Sequence, residues 1–157
     1  MVTTLRKEIP DICLRTTLIT GFPGETGTDF TILKEYVKEM RFDRLGVFPY
    51  SAEEGTPAAK MKKQVPSFIK NMRRNAIMKI QQQIAFEKAE EMIGKKLEVL
   101  IEGKLPEDGV FIGRTYIDAP NVDGMIFVNS DREMVTGDVV TVGFTDYHEY
   151  DLIGEEQ

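Results

Sequence analysis

Leu14-Arg15-Thr16-Thr17-Leu18-Ile19-Thr20 runs directly into Gly21-Phe22-Pro23-Gly24-Glu25-Thr26. The β-branched side chains at Thr16, Thr17, Ile19 and Thr20 suit a pleated backbone and predict a strand over Cys13–Thr20. The turn that follows is rich in glycine and proline. Beyond it Thr28 or Asp29 is placed to cap a helix in which Phe30, Leu33, Val37 and Met40 recur at three- and four-residue spacing. A second strand is expected over Arg44–Tyr50, followed by the loop Ser51–Ala59. Strand, helix and strand in so short a span make a βαβ unit, with parallel strands and a right-handed crossover. Both loops then lie at the carboxyl edge of the sheet, where α/β proteins place ligands. Two strands can neither close a barrel nor cover both helix faces. The segment therefore reads as the end of a larger α/β domain, with Leu18, Ile19, Val47 and Phe48 short of cover.

Working outward, Val65 to about Met92 reads as one long helix. Pro66 suits its first turn, and Ile69, Met72, Ala76, Ile80 and Ile84 form an apolar stripe. Arg73, Arg74, Lys79, Gln81 and Gln82 are assigned to other faces, and Gln81-Gln82-Gln83 to solvent. Gly94 can end this helix. Short alternating strands are then expected at Lys96–Glu102, Val110–Tyr116, Met125–Val128, Val139–Phe144 and Glu149–Ile153. They are separated by the turn signals Pro106–Gly109, Asp118–Asn121, Asp123-Gly124 and Gly137-Asp138. About five short strands in so few residues predict a small antiparallel β-barrel of the OB-like kind, a fold that more often binds than catalyses. The expected parts are residues 1–64, a connecting helix at 65–93, and the barrel at 94–157.

Charge divides along the same line. Residues 1–93 carry 15 Lys+Arg against 12 Asp+Glu, whereas residues 94–157 carry 5 against 14, a net −9. An acidic surface repels nucleic-acid phosphates and attracts cationic partners. No apolar run approaches the ~20 residues that span a bilayer, and Met1–Glu8 lacks the pattern of a signal peptide, so a cytoplasmic location is expected. Cys13 is the only cysteine, which leaves no internal disulfide and no cysteine-ligated cluster within the sequence; it reads as a small buried hydrophobe. Gly21–Thr28 has the glycines of a phosphate loop but Glu25 in place of a lysine, which argues against a nucleotide triphosphatase. His148, the sole histidine, has no metal-ligand spacing around it and reads as a surface residue.

Taken together, Leu14–Thr26, Phe42–Phe48, Tyr50-Ser51 and Glu54–Ala59 closely resemble the late barrel strands of the radical S-adenosylmethionine (SAM) methylthiotransferases. The β module is similar to the TRAM domain of that family. Gly113–Tyr116, Asp118–Pro120, Val122–Gly124 and the ending Tyr150–Glu155 resemble the branch that modifies an aspartate of small-subunit ribosomal protein twelve. The resemblance covers essentially the whole chain. It implies an α/β plus all-β protein: the terminal βαβ part of a TIM-like radical SAM barrel, a connecting helix and a five-stranded TRAM barrel. The chain would start within the helix before the penultimate barrel strand.

The resemblance also implies that the parent enzyme uses SAM and two 4Fe-4S clusters. The family's CxxxCxxC loop and its further cluster cysteines are absent here, so neither catalytic nor metal-binding residues are expected in this chain, and it should be inactive by itself. In the family, the strand corresponding to Leu14–Thr20 carries a GxIxGxxE-like pattern beside the adenine. Ile19 and Gly21 match it, while Thr17 stands at its first glycine and Glu25 falls one residue late. The cofactor-binding candidates are thus Ile19, Gly21, Phe22, Pro23, Tyr50 and Ser51. The partner implied is the basic ribosomal protein, docked on the acidic barrel. The alternative is a transfer-RNA methylthiotransferase whose barrel holds RNA, which the barrel's five cations against fourteen carboxylates disfavour.

Overall fold

A computed structural model describes residues 1–106 and 109–157. The chain divides into two compact units, residues 1–85 and 86–157, and the division falls within a helix.

The first unit begins with α1 (Val2–Glu8), β1 (Arg15–Thr20), α2 (Gly27–Met40) and β2 (Arg44–Pro49). A 3-10 turn at Ala58–Lys60 precedes α3 (Ser67–Glu90), which supplies its residues through Ala85. β1 and β2 are parallel, pairing Thr16 with Leu45, Leu18 with Val47, and Ile19 with Phe48. One sheet face is finished. Val47 and Leu45 are buried with Val37, Phe42, Ile77 and Ile84, and Leu18 packs against them, contrary to the expectation that Leu18 and Val47 would lack cover. Only Ile19 and Phe48, on the opposite face, remain more than half exposed. The two helices that pack on one side of the sheet account for the difference.

Local chemistry fixes the helix ends. The N-cap of α2 lies two residues before Thr28: it is Thr26, its hydroxyl accepting from the Asp29 N–H while the Asp29 carboxylate accepts from the Thr26 N–H. This reciprocal box satisfies two otherwise orphaned donors. At the other end Arg6 of α1 donates to the carbonyls of Met40 and Arg41 at 2.6 and 2.7 Å, placing a cation at the negative end of the α2 dipole.

The buried face of α3 also departs from the apolar stripe. Arg73, Ile77, Gln81 and Ile84 point inward, whereas Met72 is exposed. Arg73 is neutralised by Glu25, and the Gln81 Nε2 donates to the Phe42 carbonyl at 2.9 Å. Burying such groups is tolerable because they are partnered. Gln82 and Gln83 are exposed as expected.

The second unit contains β3 (Lys96–Lys104), β4 (Val110–Arg114), β5 (Ile126–Asn129), β6 (Val139–His148) and β7 (Asp151–Glu156). They close into a barrel in the order β3-β4-β5-β7-β6. Four seams are antiparallel and one, β5 with β7, is parallel. Directions cannot alternate all the way round a ring with an odd number of strands, so closure with five requires such a seam. The core holds Val99, Ile101, Phe111, Ile126, Val128, Val142 and Phe144, each almost fully buried. Gly113 and Gly154 sit where neighbours crowd: a Cβ on either would lie 2.5 Å from a valine methyl and under 3 Å from a facing carbonyl. β6 extends beyond Phe144 through a bulge, and β7 starts two residues later than Glu149, which turns with positive φ. Of the Pro106–Gly109 turn signal, Glu107 and Asp108 lie outside the described residues. No helix among the described residues is long and apolar enough to cross a membrane.

Candidate functional site

The six cofactor-binding candidates gather at the carboxyl edge of the β1–β2 sheet. Ile19 is the last outward-facing residue of β1, beside Phe48 of β2; they are 54% and 60% exposed and form an open apolar surface. Gly21 follows β1 with φ +72°, and its N–H donates to the Glu25 Oε2 at 2.9 Å. Phe22 and Tyr50 meet edge to face with centroids 5.2 Å apart, and the Tyr50 N–H donates to the Thr20 carbonyl. Pro23 is buried in the turn and Ser51 is exposed.

What holds this edge together comes from α3. The Lys70 ammonium donates to the Tyr50 carbonyl at 3.0 Å and lies 4.8 Å from the centre of the Tyr50 ring. The Lys70 carbonyl accepts from the Thr20 hydroxyl. A side chain on Gly21 would collide with Lys70, its Cβ falling 2.3 Å from Cγ. The glycine is therefore required both by its left-handed backbone and by the approach of α3. One residue turn further, Arg73 pairs with Glu25 at 2.5 Å and also donates to its carbonyl, with both side chains nearly buried. Glu25 thus ties the Gly21 N–H to α3. Lys70 and Arg73 were not identifiable from local sequence, because nothing near them signals a partner some fifty residues earlier.

These facts bear on which groups the edge can offer. Ile19, Phe48 and the Phe22–Tyr50 pair present apolar and aromatic surface suited to a flat heterocycle. Gly21 offers neither a spare N–H nor open space, since Glu25 takes the first and Lys70 the second. The Tyr50 hydroxyl is buried, with no hydrogen-bond partner among the described residues. For a metal cluster the residues do not fit: Cys13 is the sole cysteine, and the described residues contain no group of three or more His, Cys, Asp or Glu able to hold a metal.

On the barrel, Lys104, Arg114 and Arg132 are engaged by carboxylates among the described residues. Lys104 pairs with Glu133 at 2.8 Å, Arg114 with Glu102 at 2.7 Å, and Arg132 with Glu156. The motif between β4 and β5 is structural in its polar members. The Asp118 carboxylate accepts from the Thr115 hydroxyl and N–H, Asp123 from the Ala119 N–H, and Asp151 from the Met125 N–H. His148 is exposed.

Residues 93–156 match the TRAM domain family, so the closed barrel is a TRAM domain. Over nearly its full length the chain is similar to ribosomal protein uS12 methylthiotransferases of the RimO type. It is 64% identical to that of Lachnoclostridium phytofermentans over 98% of this chain and 35% of the relative. It is 48% identical to that of Carboxydothermus hydrogenoformans, over 96% and 34%, and 51% identical to that of Caldanaerobacter subterraneus subsp. tengcongensis, over 95% and 34%. The chain spans about a third of the length of the curated relatives it matches.

Proposed function

We propose that this chain is the TRAM-containing part of a radical SAM methylthiotransferase acting on ribosomal protein uS12, and that the acidic barrel recognises that basic protein. The observation that carries the reading is the 64% identity over 98% of the chain to a protein of that name. The barrel's charge supports the second half. Binding to RNA requires lysine and arginine to meet phosphates, and here Lys104, Arg114 and Arg132 are already paired with carboxylates. The cytoplasm is the compartment this reading implies.

In the parent, SAM supplies the methyl group and the radical chemistry. Ile19 and the Phe22–Tyr50 pair would hold its adenine, with Gly21 and Pro23 shaping the turn and Ser51 beginning the adjoining loop. The two 4Fe-4S clusters would be held outside this chain, so no step through them is assigned to its residues. Reconstituted anaerobically with iron and sulfide, the isolated chain is expected to give no 5′-deoxyadenosine from SAM. Product above a no-protein control would contradict this.

The test of recognition is to titrate the chain with purified uS12 and with transfer RNA at two salt concentrations. Attraction between exposed charges is screened over about 8 Å at physiological ionic strength, so uS12 affinity should fall as salt rises. Tighter binding of transfer RNA would overturn the ribosomal-protein reading in favour of an RNA-binding TRAM domain.

A further inference from the structure

The acidic character of the barrel is not uniform, and one end combines it with exposed apolar side chains. The loop between β4 and β5 and the β6–β7 hairpin meet there. β5 and β7 start side by side, Ile126 opposite Leu152, and the Leu152 N–H donates to the Met125 carbonyl. Gly124 lies so close to the hairpin that a Cβ would sit 2.1 Å from the Tyr150 carbonyl. Tyr116, Val122, Met125 and Tyr150 are all exposed at this end, Val122 to 72%. Residues 115–125 and 146–151 carry five carboxylates, Asp118, Asp123, Asp146, Glu149 and Asp151; the cations bordering them are Arg114, which ends β4 and pairs with Glu102, and Lys95 and Lys96 at the start of β3.

Two features separate this end from an ordinary surface. Its loop is held in shape from within, because Asp118, Asp123 and Asp151 each accept a backbone N–H of residues 115–125. The apolar side chains are therefore displayed on a fixed platform, which lowers the ordering cost of binding. The opposite end is acidic as well, with Asp131, Glu133 and Asp138 beside Lys104 and Arg132, but among the described residues it exposes only Val135 and Val139 as large apolar side chains, to 68% and 59%, against four here. Apolar patches rimmed by polar groups mark interaction sites, whereas single exposed apolar residues do not.

We propose that the end formed by residues 115–125 and 146–151 is the surface that docks a cationic protein segment, seating its aliphatic or aromatic side chains on Val122, Met125 and Tyr150 while its lysines and arginines meet the carboxylate rim. The proposal rests on the reading of the barrel as the recognition end and adds where the partner sits. The excess of carboxylates in these two segments, with the bordering Arg114 already paired with Glu102, chooses a cationic protein over RNA, whose phosphates it repels.

The experiment compares two double variants of the full chain with matched chemistry, using uS12 as the probe in calorimetric titrations. Val122→Ser with Met125→Ser should weaken binding about tenfold, the loss expected on removing a central apolar anchor. Val135→Ser with Val139→Ser, at the other end, should leave it within about twofold. Glu149→Lys should weaken binding and flatten its salt dependence without touching the apolar residues. All five positions are exposed, and thermal melts verify that the barrel stays folded. If wild type binds uS12 and neither the first pair nor Glu149→Lys weakens it, the docking surface is overturned while the recognition reading stands. If wild type does not bind uS12, both fall. Transfer-RNA binding that is lost in the first pair would overturn the choice of occupant.

Discussion

The TRAM barrel and the βαβ unit bury their apolar residues in opposite ways. The barrel is a closed ring: every strand has two neighbours, and its core from Val99 to Phe144 is sealed on all sides. The βαβ unit has two strands, one covered face and one bare one carrying Ile19 and Phe48. Closure leaves the barrel's binding capacity to its loops and end surfaces, since no edge or interior is open. The open unit instead offers its sheet face and the carboxyl edge above it. The first arrangement suits a macromolecular partner and the second a small planar one.

The contrast is broken most severely in the barrel core. Phe111→Ala removes a fully buried ring and should cost about 3–5 kcal/mol, enough to unfold much of the second unit. Phe48→Ala, removing a ring from the bare face, should cost well under about 1 kcal/mol. Urea titrations followed by circular dichroism measure both. Comparable losses would mean that the bare face is buried in solution.

Next in size is the Arg73–Glu25 pair, which fastens the turn of the open unit. Arg73→Met strands the nearly buried Glu25 carboxylate and should cost about 3 kcal/mol. The double variant Arg73→Met with Glu25→Gln should recover part of that loss, because no unpaired charge remains. A double-mutant cycle read by thermal unfolding checks it; strict additivity would show that the two side chains act separately.

Smaller than the losses at the core and at the ion pair is that at the α2 cap. Thr26→Ala should cost about 1 kcal/mol through loss of the hydroxyl acceptor. Hydrogen bonds from the Thr26 N–H and then its hydroxyl hold the Asp29 carboxyl below its usual range. Because the folded value is depressed, the stabilisation is present above the ordinary value of about 3.9 and is lost as pH falls through the folded one. Asp29→Asn should flatten this acid limb, as followed by melting temperature against pH.

The strand-turn-helix-strand order was legible because β-branched runs, a Gly-Pro-Gly turn and a 3.6-residue stripe are all local signals. The barrel was legible for the same reason, from short alternating strands between turn residues. Its parallel seam was not, since pairing is decided by ring closure and leaves no mark on either strand. The inward face of α3 was misread because Arg73 and Gln81 look solvent-facing until Glu25 and the Phe42 carbonyl are brought to them. The α2 cap was misplaced because Thr26, Thr28 and Asp29 all have capping chemistry, and only the reciprocal bonds select Thr26. At the candidate site, glycine at position 21 read as a turn residue, but the approach of Lys70 that also demands it belongs to tertiary structure.

The central claim, that the closed unit meets the protein partner while the open unit does not, is tested most directly by hydrogen exchange of the full chain with and without uS12. Protection on binding is expected in residues 115–125 and 146–151, with β1, β2 and Gly21–Thr26 unchanged. Protection confined to the βαβ unit, or to the barrel end around Val135–Val139, would contradict the account.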